Sequence, residues 1–144
     1  MNRLRRTYAV RYGDFNHAGE ASIHVKNTLK SLNFRPELVR RVSICGYEAE
    51  MNLVMHGGDG VLKVVISPQE IRLDVEDSGP GIENTELAMQ EGYSTASDAF
   101  REMGFGAGMG LPNMKRNSDD IVVDSVPGRG TAVTMRFTVG GGEP

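Results

Sequence analysis

The chain has 144 residues, a length that fits one domain with a real core, and it is 39% hydrophobic and 24% charged, as soluble globular proteins are. A net charge of −3 supplies no global attraction to nucleic acid or to a membrane, and the sole cysteine, Cys45, excludes an internal disulfide and a multi-cysteine metal site. With no signal-type apolar core and no apolar run near ~18 residues, the expected location is the cytoplasm.

Residues 6–12 (Arg-Thr-Tyr-Ala-Val-Arg-Tyr) alternate in character and predict a strand. Arg3, Arg5, Arg6 and Arg11 read as its solvated charges; no aromatic or helix-turn-helix pattern supports a nucleic-acid arm. Ala18, Ala21, Val25, Leu29 and Leu32 recur every three or four positions, the stripe of an amphipathic helix from Ala18 to about Asn33. Pro36 suits the first turn of a second helix running to about His56, which Gly57-Gly58-Asp59-Gly60 ends. Residues 61–67 and 71–76 predict two strands joined around Pro68 and Gln69.

Residues 84–109 lack strong periodicity, and a stretch of that length in a small domain is a functional lid or disordered. A short helix is expected from Leu111-Pro112 to about Ser118. Ile121–Val126 and Thr131–Val139 predict a final hairpin around Pro127-Gly128-Arg129-Gly130. Hairpins dominate this order. The expected fold is therefore α+β, a two-layer sandwich of a mixed, mostly antiparallel sheet with helices on one face. It should form one domain over residues 1–139, with 140–144 a disordered tail.

Three segments carry chemistry. Glu48 and Asn52 are four apart on the second helix and share a face within an otherwise apolar stretch. The Asn52 amide oxygen suits a hard cation such as Mg²⁺, which takes few protein ligands beside phosphate oxygens. Glu48 can accept a proton from an attacking hydroxyl; the competing reading is an exposed polar helix face. Asp77-Ser78-Gly79-Pro80-Gly81 follows a strand directly. Its carboxylate can accept from the exocyclic amine of adenine, or the segment is simply a strand-ending turn.

Gly104-Phe105-Gly106-Ala107-Gly108-Met109-Gly110-Leu111 runs straight into a helix. Bare N–H groups at a helix start bind phosphate, against the reading of a flexible linker. It is neither Gly-x-Gly-x-x-Gly, since position 109 is Met, nor a P-loop, and protein-kinase signatures are missing. Thr131 opens the last strand, within reach of the aspartate through water or simply as a β-former.

In this order, Glu48-x-x-x-Asn52, Asp77-x-Gly79-x-Gly81 and Gly106-x-Gly108-x-Gly110 resemble the N box and the two glycine boxes of the ATP-binding domain shared by histidine kinases, gyrase B, HSP90 chaperones and MutL. Within that superfamily the chain is similar to the small bacterial anti-sigma factors and switch serine kinases. The likeness rests on Asn52-Leu-Val-Met-His56-Gly57, on Glu91-Gly-Tyr-Ser-Thr95, on Gly108-Met-Gly-Leu-Pro-Asn-Met-Lys-Arg116 and on Asp124-Ser-Val-Pro-Gly-Arg-Gly-Thr131.

The resemblance implies an ATP-dependent serine/threonine protein kinase whose cofactors are ATP and Mg²⁺. Its partner would be an antagonist (anti-anti-sigma, STAS-like) protein carrying a phosphorylatable serine, with a sigma factor as a second target, and family members are often dimers. Glu48 would be the general base and Asn52 the Mg²⁺ ligand. Asp77 would read adenine, with Gly79 in the same box and Gly81 and Ile82 closing on the base. Gly106, Gly108, Met109, Gly110 and Leu111 would wrap the phosphates. His56, Thr131 and one of Arg101 and Lys115 would add secondary contacts.

Residues Asp98-Ala-Phe-Arg-Glu-Met103 depart from the pattern and leave any lid arginine open. A non-catalytic ATP-gated binding module is the alternative. A histidine kinase fragment is disfavoured, because no histidine lies in a His-Glu-x-x-x-Pro context.

Overall fold

The computed structural model describes residues 3–55, 58–79 and 110–140. Their elements are β1 (Leu4–Val10), α1 (Glu20–Ser31), α2 (Pro36–Met55), β2 (Gly60–Ile66), β3 (Glu70–Asp77), α3 (Gly110–Asn117), β4 (Asp120–Val126) and β5 (Gly130–Thr138). The strands form one five-stranded sheet in the order β1-β2-β3-β5-β4. The α+β class is as expected. The mostly antiparallel sheet is also as expected: every pairing among the described strands is antiparallel.

Alternation decides which side the helices cover. Leu62, Val64 and Ile66 of β2 lie opposite Val75, Leu73 and Ile71 of β3, which lie opposite Val133, Met135 and Phe137 of β5. All nine are buried. From above they meet Val25 and Leu29 of α1, Leu38, Val42, Cys45, Ala49 and Leu53 of α2, and Leu111 and Met114 of α3. The other sheet face carries residues such as Arg72 and Asp74, which pair at 2.9 Å. Helices therefore lie on one face, with α2 packed against both α1 and α3.

Two boundaries differ from the sequence reading, each for a local reason. The first strand spans 4–10 rather than 6–12. Val10 lies opposite Gly60, the first residue of β2, so a longer strand has no ladder partner. Beyond it the Tyr12 N–H donates to the Asp59 carboxylate and the Gly13 N–H to the Val54 carbonyl. The first helix begins at Glu20, not Ala18, because Gly19 sits at φ 96°. It ends before Asn33, which adopts a left-handed φ of 63°, a backbone state asparagine tolerates and helix ends use. Residues 84–109 and 141–144 of the expected lid and tail lie outside the described residues.

Candidate functional site

The site is assembled where the C-terminal half of α2 faces α3. Both Glu48 and Asn52 are half-buried on the side of α2 that α3 covers. The Asn113 side-chain amide donates to Glu48 Oε2 at 2.9 Å. Arg116 in turn donates to Asn113 Oδ1 at 2.7 Å, holding that amide in one orientation. Among the described residues Glu48 Oε1 has no hydrogen-bond partner.

One turn further on, Asn52 meets the first residue of α3. A Cβ on Gly110 would stand 3.1 Å from Asn52 Oδ1, so the glycine permits the closest approach of the helix start to that amide. Among the described residues the Asn52 amide has no hydrogen-bond partner either. A neutral amide oxygen beside a helix start, where phosphate oxygens could also be received, would fit Mg²⁺, which takes few protein ligands. No group of three or more His, Cys, Asp or Glu able to hold a metal alone occurs among the described residues. A cation here would draw most of its ligands from a nucleotide.

α3 is fixed at its other end. Arg41 donates from Nε to the Asn117 carbonyl at 3.0 Å and pairs with Asp119 at 2.9 Å. Its guanidinium also lies 5.9 Å from the centre of the Phe137 ring. The N-terminal turn of α3 therefore faces the site while its C-terminal turn is clamped to α2. Leu111, expected to wrap phosphate, is only 7% exposed and its side chain belongs to the core. Lys115, a candidate secondary contact, is exposed on α3.

The third group comes from the sheet. Asp77 ends β3 directly opposite Thr131 on β5, and both side chains take the helix-covered face by alternation. Thr131 shares a hydrogen bond with Ser125 at 2.8 Å. Asp77 Oδ1 accepts the Gly79 N–H at 2.8 Å, which makes the strand-ending turn real without excluding a ligand role, since Oδ2 carries no such bond among the described residues. Gly130 is obligatory here: at φ 136°, a Cβ would lie only 2.0 Å from the Asp77 carbonyl oxygen. The Gly-Thr step thus lets β5 start hard against Asp77. Candidates His56, Gly81, Ile82, Arg101, Gly106, Gly108 and Met109 lie outside the described residues.

Glu50 was missed by the sequence reading. It is 2% exposed. Its Oε2 accepts the N–H groups of Gly19 at 3.0 Å and Ala21 at 3.3 Å. Its Oε1 accepts the Ser22 N–H at 2.9 Å and the Ser22 hydroxyl at 2.6 Å. α1 has no local side-chain cap. The signal available was a helix start at Gly19-Glu20-Ala21 with no Ser, Thr, Asp or Asn at the cap, beside an unexplained carboxylate in the apolar stretch of α2. Glu48 and Glu50, two residues apart, thus turn to opposite neighbours.

Cys45 packs beneath Glu48, its thiol 3.6 Å from the Met114 carbonyl. Burial pushes that thiol up to about 12; Arg41 opposes the shift and Glu48 adds to it. A neutral buried thiol is a poor nucleophile. Maleimide should therefore leave the native protein unlabelled at mildly alkaline pH and label it fully in guanidinium. Rapid native labelling would mean that the α2–α3 contact opens readily.

The family profile described as "Histidine kinase-, DNA gyrase B-, and HSP90-like ATPase" matches residues 39–140. The chain is 37% identical over 98 residues to an anti-sigma F factor of Thermoanaerobacter sp. (strain X514), a match covering 65% of each chain. It thus spans about two thirds of that relative's length. It is 29% identical over 112 residues to the serine/threonine-protein kinase RsbT of Bacillus subtilis (strain 168), covering 75% of this chain and 78% of that one. Among solved structures it is similar to the SiaB–SiaC complex of Pseudomonas aeruginosa, with a TM-score of 0.59 at 12% identity over 92% of this chain and 88% of that one. That last likeness is one of fold.

Proposed function

This chain belongs to the histidine kinase-, DNA gyrase B- and HSP90-like ATPase family, and from that premise we propose that it is an ATP-dependent protein-serine kinase of the anti-sigma factor and switch kinase type. The observation that carries the proposal is Glu48: a half-buried carboxylate, held through one oxygen by Asn113, one helical turn from the Asn52 amide and the start of α3. A module that only bound ATP would need no base there. The relatives named anti-sigma F factor and RsbT support the same reading.

In this mechanism the N–H groups at the start of α3 and the glycines before it receive the phosphates. Asp77 accepts from the adenine amine, with Thr131 beside it. Asn52 would help hold Mg²⁺, which would supply neutralisation of phosphate charge. The serine hydroxyl of an antagonist protein attacks the γ-phosphorus, the bond from phosphorus to the ADP oxygen breaks, and the hydroxyl proton passes to Glu48. ADP leaves with the electron pair. Positioning and charge neutralisation supply most of the acceleration in such transfers. Regulation of a sigma factor through capture and release of that antagonist is the accompanying proposal.

The adenine assignment is tested by Asp77→Asn. An amide turns a donor toward the adenine amine, and ATP affinity measured by calorimetry should fall at least about tenfold, or 1.4 kcal/mol. Unchanged affinity would remove Asp77 from the nucleotide site.

A further inference from the structure

A groove of about 720 Å³ runs along the outer side of α2, between it and α1, and one end of it is Glu48. Its α2 wall is the stripe Pro36, Val39, Arg40, Ser43, Ile44, Tyr47 and Glu48, successive positions three or four apart or adjacent across one helix face. Its α1 wall carries Lys26 and Lys30, one turn apart, and Phe34 closes the far end. Lys26, Lys30 and Arg40 are exposed. None of the three joins an ion pair among the described residues, although the chain as a whole is acidic. Tyr47 is 44% exposed, and Ile23, 56% exposed, continues the Lys26–Lys30 stripe of α1 toward its N-terminus. Large apolar side chains standing between unpaired cations mark an interaction surface rather than a solvated one.

We propose that this groove docks an extended, acidic segment of the substrate protein, with aliphatic or aromatic side chains interleaved, and so delivers the acceptor serine to Glu48. The inference rests on the kinase reading for its direction. Two features of the groove choose the occupant: the three unpaired cations call for carboxylates, and the apolar floor of Ile44 and Tyr47 calls for apolar side chains between them. Length sets the register. From Pro36 to Glu48 the helix rises about 18 Å, which an extended chain covers in about five or six residues. The acidic determinant therefore lies within about six residues of the serine, and affinity comes from residues that never meet ATP.

The test uses serine-centred peptides whose flanks are acidic-apolar, neutral or basic-apolar. Each is assayed for phosphorylation with γ-labelled ATP and Mg²⁺, and separately for binding by fluorescence anisotropy. Wild-type protein should bind acidic-apolar peptides at least tenfold more tightly than basic ones. The charge-reversed triple variant Lys26→Glu, Lys30→Glu, Arg40→Glu should lose or invert that order while binding ATP as the wild type does. Binding with that order but no label would sustain the groove and refute the kinase reading. Label with no acidic preference, or with the same preference in the triple variant, would overturn the groove and leave the kinase reading standing. No binding of any peptide would overturn it, as would a single-stranded oligonucleotide that binds wild type more tightly than the acidic peptides and is lost in the triple variant. If the triple variant melts early, Lys30→Glu alone with Arg40→Glu alone replaces it, each expected to weaken acidic-peptide binding severalfold.

Discussion

Glu48→Ala is expected to keep ATP affinity and to lose phosphoryl transfer by about 10²- to 10⁴-fold, the range that a positioned general base contributes. The two halves of that result come from the geometry. On the proposed reading Asp77 and the start of α3 would carry the nucleotide, and Glu48 touches α3 only through the Asn113 side chain. The carboxylate spends one oxygen on Asn113 and leaves the other free of protein partners among the described residues. Removing it leaves the Asn113 amide without its acceptor, a half-buried loss of about 1 kcal/mol that should not unfold the domain. Initial rates of transfer to the antagonist protein at saturating ATP, with calorimetry of ATP binding on the same sample, check both halves. A fully active Glu48→Ala enzyme would remove the base.

Two residues further along the same helix, Glu50→Ala should do the reverse. Glu50 is buried and accepts three backbone N–H groups and a hydroxyl at the start of α1. Its negative charge also lies at the positive end of that helix. Alanine leaves those donors facing apolar surroundings, and the expected loss is about 3 kcal/mol, roughly 10 °C in melting temperature for a domain of this size. Glu50→Gln keeps one acceptor oxygen but turns an NH₂ toward N–H donors, so it should fall between. Circular dichroism melts of the three proteins measure this. Wild-type melting of Glu50→Ala would mean that the α1 N-terminus is satisfied by water instead.

The contrast between these two glutamates shows what the sequence made legible. Periodicity and turn residues placed every described helix and strand to within a few residues, because each element carries its own stripe and its own stop signal. Glu48 and Asn52 were readable as a pair since four-residue spacing puts side chains on one helical face. Thr131 was read as within reach of Asp77, and the register places the two directly opposite. What failed was information held between distant segments. The β1 boundary depends on where β2 begins, 50 residues later. The α1 cap comes from Glu50, 28 to 31 residues away. The Asn113–Glu48 bond spans 65 residues. No local pattern encodes these, because the first arises from the β1–β2 ladder and the other two from packing α2 against its two neighbours.

The central claim, transfer of the ATP γ-phosphoryl to a protein serine, is tested most directly by incubating the protein with γ-labelled ATP, Mg²⁺ and host-cell lysate, then identifying the labelled amino acid. The account predicts phosphoserine on a small protein, dependent on Glu48. No labelled protein, with ATP still bound, would contradict it and leave a nucleotide-gated binding module.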